Sequence, residues 1–321
     1  MSRKYVVYAT PERISQINPK NIEIWRKYIN GKRTLRETTK AGYENDMIQF
    51  FVFLLLNYEN KCMFDFDTEE MADVLDDFIA MCASVFGNKE KRIARRLSTI
   101  SSIYIYYKKK RKIKENPVEL LERPKILKGK YEIKQTFLTK EQVYQIREGL
   151  EKLNDTQLTL FFELGLYTMA RVNALSNIKI EQIDLEKKRI CDVVEKEGYE
   201  VTLLFDDRCK ALIEKWLEER KEKGIDSPYL FVTYYNKKWD KVSKQTMQGS
   251  GWIKKIGKII NVPELHCHDL RHSGSNLRYQ AGMKLEDVSK ALNHKGTQVT
   301  QDFYLQMNFD KLQEELEKFS I

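Results

Sequence analysis

Proline and glycine are scarce in this 321-residue chain, at 6 and 14 residues. That is about 2% and 4%, against the usual ~5% and ~7%. Turn-rich all-β folds draw on both, so helix should dominate. Cysteine is sparse too, and its five positions, Cys62, Cys82, Cys191, Cys209 and Cys267, are odd in number and scattered. This excludes a disulfide-stapled scaffold and points to reduced thiols. Long apolar runs are missing. The longest, Phe50-Phe51-Val52-Phe53-Leu54-Leu55-Leu56, falls far short of the ~20 residues that cross a bilayer and reads as a core helix. The N-terminal MSRKYVVYATPER has no apolar signal core, so a cytoplasmic protein with no membrane partner is expected.

What the chain does have is charge of both signs over a substantial apolar fraction. Charged residues are 32% and the hydrophobic set 42%, which excludes a disordered polyelectrolyte and fits a folded chain of about two domains. Lys plus Arg number 56 against 47 Asp plus Glu, a net +9. Such a surplus favours polyanionic partners, nucleic acid first.

Helical periodicity over 21–29, 38–57, 69–86 and 89–107 predicts a small helical bundle in an N-terminal domain, 1–115. Its last helix runs into Lys108, Lys109, Lys110, Arg111, Lys112 and Lys114, then Asn116-Pro117 and Arg123-Pro124. The prolines stop helix, so 116–135 reads as a basic linker. The basic run is either a solvated helix end or a strap along a phosphate backbone. A second domain, 136–321, opens at Thr139, with Gln142 placed for a capping box. Helices are expected over 139–153 and 156–168, with a shorter one after Arg171. Two β-rich runs, 189–194 and 199–204, flank Glu195-Lys196-Glu197-Gly198 as a hairpin. Further helices follow over 207–223, 244–260, 268–281 and 285–292, with a last one from about 310. The fold class is therefore mainly α with a small β-sheet.

The four histidines, His266, His268, His272 and His294, crowd into the last part of the chain. With Cys267 they suggest zinc, but neighbours at 266, 267 and 268 point in different directions, unlike separated ligand pairs. More telling is His268-Asp-Leu-Arg271, which puts an imidazole and a guanidinium on one helical face. Arg171 stands upstream between two helices, Lys196 on the hairpin, and Leu292-Asn293-His294 and Tyr304 downstream.

This ordered set resembles the tyrosine recombinases, the phage and transposon integrases and their chromosome-dimer-resolving relatives, from about Thr136 to Tyr304. The resemblance implies a tyrosine recombinase/integrase fold, with the N-terminal helices as a core-binding domain, in a site-specific DNA recombinase that closes as a clamp on duplex DNA. It implies a homo-tetramer on two sites, open to an accessory directionality protein and associated with the nucleoid. The ten-residue step from His294 to Tyr304 leans toward integration and excision of a mobile element. Two departures stand out. Asn293 occupies a position commonly Gly, so that turn should differ. Ala174 occupies a position, three beyond the first arginine, that is often acidic, so Arg171 needs another anchor.

The chemistry follows from the residues. Arg171 and Arg271 would neutralise the non-bridging oxygens of a phosphodiester, most strongly as charge builds in the transition state. Tyr304 attacks phosphorus with His268 as proton acceptor, His294 donates to a phosphate oxygen, and Lys196 protonates the departing 5′ oxygen. The 3′-phosphotyrosyl link conserves bond energy, so no nucleotide or metal cofactor is required. The tail 308–321 carries Phe309, Leu312, Leu316 and Phe319 at helical spacing, a stripe for docking on a neighbouring subunit or folding back. Two other readings are a DNA-binding regulator that keeps the fold without the reaction and a metal-dependent nuclease. The nuclease needs a carboxylate cluster, which the sequence does not offer.

Overall fold

The computed structural model describes residues 8–32, 35–122, 137–195, 198–249, 251–293 and residue 317. Two compact units divide the chain, Met1–Glu132 and Ile133–Ile321. Among the described residues no helix is long and apolar enough to cross a membrane.

The first unit is helical: α1 (Pro11–Ser15), α2 (Pro19–Gly31), α3 (Glu37–Asn57), α4 (Thr68–Ser84) and α5 (Glu90–Lys109). Sequence sets these starts. Asn18 accepts from the Lys20 amide ahead of Pro19, and Asp67 and Glu70 form a reciprocal box at α4. Phe50 to Leu54 are all buried, so α3 is covered on every side at that level and forms the axis of the core. Of the aromatic cluster at the end of α5, Tyr104 donates to the Met63 carbonyl at 2.8 Å and Tyr107 to the Ile24 carbonyl at 3.0 Å. These two rings are therefore committed to packing. Beyond α5, Asn116 donates to Ser101 Oγ at 2.9 Å and Val118 is buried.

The second unit contains α6 (Lys140–Leu153), α7 (Thr156–Thr168), α8 (Val172–Asn177), β1 (Ile183–Asp184), β2 (Arg189–Val194), β3 (Glu200–Leu204), α9 (Asp207–Glu222), β4 (Val232–Tyr235), β5 (Lys238–Lys241), α10 (Lys244–Gln248), α11 (Trp252–Ile259), α12 (Cys267–Gln280) and α13 (Leu285–Ala291). The box expected at Thr139 forms: Gln142 donates its amide to Thr139 at 3.2 Å and returns a side-chain oxygen to the Thr139 amide at 3.0 Å. Helix α7 is the axis, with Leu158, Leu160, Phe161, Phe162 and Leu164 all buried. Strands β1, β2 and β3 form an antiparallel sheet in that order, and β2 bulges between Ile190 and Val193.

Three local readings change. The helix expected over 244–260 is two helices, broken where a Cβ on Gly251 would meet the Thr246 carbonyl oxygen at 1.9 Å. A second hairpin, β4–β5, occupies a stretch the sequence pattern leaves unassigned. Its turn residues, Asn236 and Lys237, both have positive φ, as a two-residue hairpin loop requires, without the glycine that would have announced it. The sheet also gains a two-residue third strand, β1. The helix expected from about 310 lies outside the described residues.

Candidate active site

Helices α7 and α12 bring the site together, and two glycines set their spacing. A Cβ on Gly274 of α12 would meet the Leu166 carbonyl oxygen at 2.2 Å, and one on Gly165 of α7 would meet Leu270 at 2.9 Å. Close approach of backbones needs such gaps. Arg278, one turn along α12, donates to the Tyr167 carbonyl at 2.9 Å and lies over the Tyr167 ring at 4.5 Å. A cation at the carbonyl end of α7 is favoured by the helix dipole. Helix α7 then ends at Met169, whose φ of 54° turns the chain, and Arg171 follows as the N-cap residue of α8 in extended conformation.

Arg271 is 1% exposed. Its Nη1 donates to the Met169 carbonyl at 2.7 Å and its Nη2 to the Leu292 carbonyl at 2.6 Å. One guanidinium thus pins the turn leading into Arg171 and the turn leading toward His294. The latter turn passes through Asn293 at φ 53°. That is the left-handed conformation that glycine adopts freely and asparagine tolerates.

His268 sits in the first turn of α12. Protein atoms withdraw it from water, and the charges of Arg271 and Arg171 add to that, pushing its pKa down to about 4 even though part of the residue remains exposed. The arginine effects are a second sign that the three side chains share one neighbourhood. A neutral imidazole is the form that can accept a proton. His272 meets His268 edge to face at 4.6 Å and is pushed to about 3 by burial and then by His268 and Arg271. The other two members of the histidine-rich segment stay local. The His266 amide donates to Asp269 at 2.8 Å, closing the start of α12. Cys267 is buried against the Met247 carbonyl and raised to about 12 by burial and Asp269. Among the described residues no group of His, Cys, Asp and Glu could hold a metal ion.

Arg171 pairs through Nη1 with Glu195, which ends the β2 side of the hairpin. In the sequence Glu195 stands only as part of the hairpin segment Glu195-Lys196-Glu197-Gly198. The buried Ala174, with no carboxylate to offer, was the sole hint that the anchor lies elsewhere. Asn177 of α8 donates to the Val194 carbonyl at 2.7 Å and accepts from Lys241, fastening the hairpin stem beside the arginine. Lys196, His294 and Tyr304 lie outside the described residues, as does the tail stripe Phe309, Leu312, Leu316 and Phe319. The described chain reaches the residues just before Lys196 and His294, at Glu195 and Asn293. In the first unit Lys108, Lys109, Lys110, Arg111, Lys112 and Lys114 are all exposed at and beyond the carbonyl end of α5. Lys108 pairs with Glu119 at 3.7 Å, and Lys110 donates to Tyr106 at 2.6 Å.

Comparison with known proteins gives the family and the fold. The model of the Phage integrase family matches residues 136–311, more than half of the chain, and the chain belongs to that family. A tyrosine recombinase XerC from Caldanaerobacter subterraneus is 28% identical over 320 residues, spanning 94% of this chain and 86% of its own. A Tn1549 transposon integrase in complex with transposon right end DNA superposes with a TM-score of 0.68 at 16% identity, covering 94% of this chain and 99% of that one. A lambda integrase tetramer bound to a Holliday junction gives 0.62 at 17% identity, over 88% and 76%. The fold is that of the tyrosine recombinases, and the enzyme is a site-specific DNA recombinase.

Proposed function

We propose that Arg171 and Arg271 bind the scissile phosphate, that His268 takes the proton of Tyr304 as it attacks, that His294 donates to a phosphate oxygen, and that Lys196 protonates the leaving 5′ oxygen. The observation that carries this is Arg271. It is held by the Met169 and Leu292 carbonyls and so draws together the segments leading to Arg171 and to His294, with His268 one turn away on the same helix. Forked donors fixed before substrate arrives need no reorganisation as charge develops. An anionic phosphate between the arginines offsets their charge and raises the basicity of the imidazole when a proton must be accepted.

The basic end of α5 follows a phosphate backbone by counterion release. The enzyme works in the cytoplasm as a homo-tetramer on paired DNA sites, with the tail stripe docking on a neighbouring subunit and an accessory protein setting direction. The sequence relative above is a Xer recombinase, and the mobile-element integrases share the fold at under 25% identity, so the lean toward integration and excision of a mobile element is not carried forward.

The test is incubation with a nicked suicide DNA in EDTA. A covalent protein–DNA adduct is the expected product. Binding without an adduct would favour a non-catalytic regulator, and cleavage only on restoring metal would favour a nuclease. On the same DNA, Lys196→Ala should recover on a 5′-bridging phosphorothiolate, whose sulfur leaves without a proton. Equal impairment on both substrates would reduce the lysine to a phosphate contact.

A further inference from the structure

Arg171 leads its own short helix in extended backbone, with no capping hydrogen bond from its side chain. Its guanidinium must therefore be oriented by contacts remote in sequence. The position one turn along the same face, Ala174, is fully buried and apolar. The contact comes from Glu195, whose carboxylate is 5% exposed while the arginine side chain stays 32% exposed. The carboxylate stands on a fixed scaffold. The Glu195 amide donates to the Tyr199 carbonyl at 2.7 Å, closing the hairpin, and the preceding Val194 carbonyl is held by Asn177. One carboxylate oxygen takes the arginine. The other, Oε1, is buried with no hydrogen-bond partner among the described residues.

We propose that Glu195 is the positioning residue for Arg171, acting across the hairpin in place of the carboxylate that Ala174 lacks. It precedes Lys196 directly in sequence, so the residue that orients the phosphate-binding arginine is the chain neighbour of the proposed leaving-group acid. This rests on Arg171 binding the scissile phosphate. Glu195 touches no reacting atom, and its effect passes through the guanidinium.

The experiment is single-turnover cleavage of nicked suicide DNA by the full chain, with DNA binding and thermal midpoint measured on the same preparations. Glu195→Gln keeps the shape and removes the charge. It should bind DNA within about twofold of the parent and cleave about 10- to 100-fold more slowly, the scale on which outer contacts act through the group they orient. Glu195→Asp, which keeps the charge, should recover part of the rate. On an Arg171→Ala background the same Gln substitution should cost less than threefold, because the group it orients is gone. A methylphosphonate at the scissile position, with one charged oxygen removed, should likewise shrink the Gln penalty. A full penalty that persists without Arg171, or a Glu195→Gln enzyme at parental rate, overturns the proposal. If Glu195→Gln lowers the midpoint strongly, the Asp variant and the methylphosphonate ratio decide, since a folding defect slows both substrates alike. Undiminished cleavage by Arg171→Ala would overturn the site assignment instead.

Discussion

Two arginine–carboxylate pairs lie along α7 and just beyond its C-terminus, and they are built differently. Midway along the helix Glu163, 3% exposed, accepts from Arg147 Nε at 2.7 Å and Nη2 at 2.9 Å, with Arg208 reaching it at 3.4 Å. Both oxygens are used, and the pair latches α6 and α9 onto α7. Beyond the helix end Glu195 engages Arg171 through one oxygen and keeps the second unpartnered among the described residues, while the arginine stays a third exposed. A closed fork stabilises. A single-oxygen contact on a third-exposed arginine leaves it with further N–H donors, which is what a phosphate needs.

The largest effect should come from Arg171→Lys. It keeps the charge but loses the fork, so cleavage should fall on the order of 10²- to 10³-fold, the cost of removing one transition-state donor. The thermal midpoint should shift little, because the side chain is partly solvated and Glu195 can still meet a cation. Single-turnover kinetics and calorimetry on one preparation would show it. A cleavage rate within threefold of the parent would erase the contrast between the two pairs.

The converse substitution, Glu163→Gln, should destabilise by about 2–3 kcal/mol, because Arg147 loses its buried countercharge and one of its two acceptors is replaced by an amide donor facing its own N–H. Cleavage per folded molecule should be unchanged. A normal midpoint, or a selective loss of cleavage, would show that the latch is no more structural than the site.

A smaller effect concerns pH. His272 and His268 fall from an ordinary 6.5 to about 3 and about 4, so the folded state binds fewer protons than the unfolded chain in that window. Stability is fully present above pH 6.5 and is lost as pH falls toward 4 and then 3, with roughly 1 kcal/mol from the buried His272 gone between pH 7 and 5.5. His272→Gln should flatten this acid limb in urea titrations, and an unchanged slope would mean the imidazole is not held neutral. No matching loss is expected around Glu163, where no histidine is in contact.

How much of this was legible in sequence follows the same divide. Chemistry written at short spacing could be read: His268 and Arg271 three apart, the box at Thr139 and Gln142, the hairpin around Gly198. The left-handed residue before His294 could also have been read, since Asn293 is among the few side chains that tolerate that conformation. Glu195 as the anchor of Arg171 could not, because the pair spans 24 residues and a turn. The β4–β5 hairpin escaped because its turn carries Asn236-Lys237 rather than a glycine. The break at Gly251 is a local backbone fold against the Thr246 carbonyl, five residues back, which hydrophobic periodicity does not record.

The account stands or falls on where DNA becomes attached. Protease digestion of the adduct formed on a suicide substrate, followed by mass spectrometry of the DNA-linked peptide, should find the link on Tyr304, with Tyr304→Phe binding DNA normally and forming none. A link on any other of the 17 tyrosines, or an undiminished adduct from Tyr304→Phe, would contradict it.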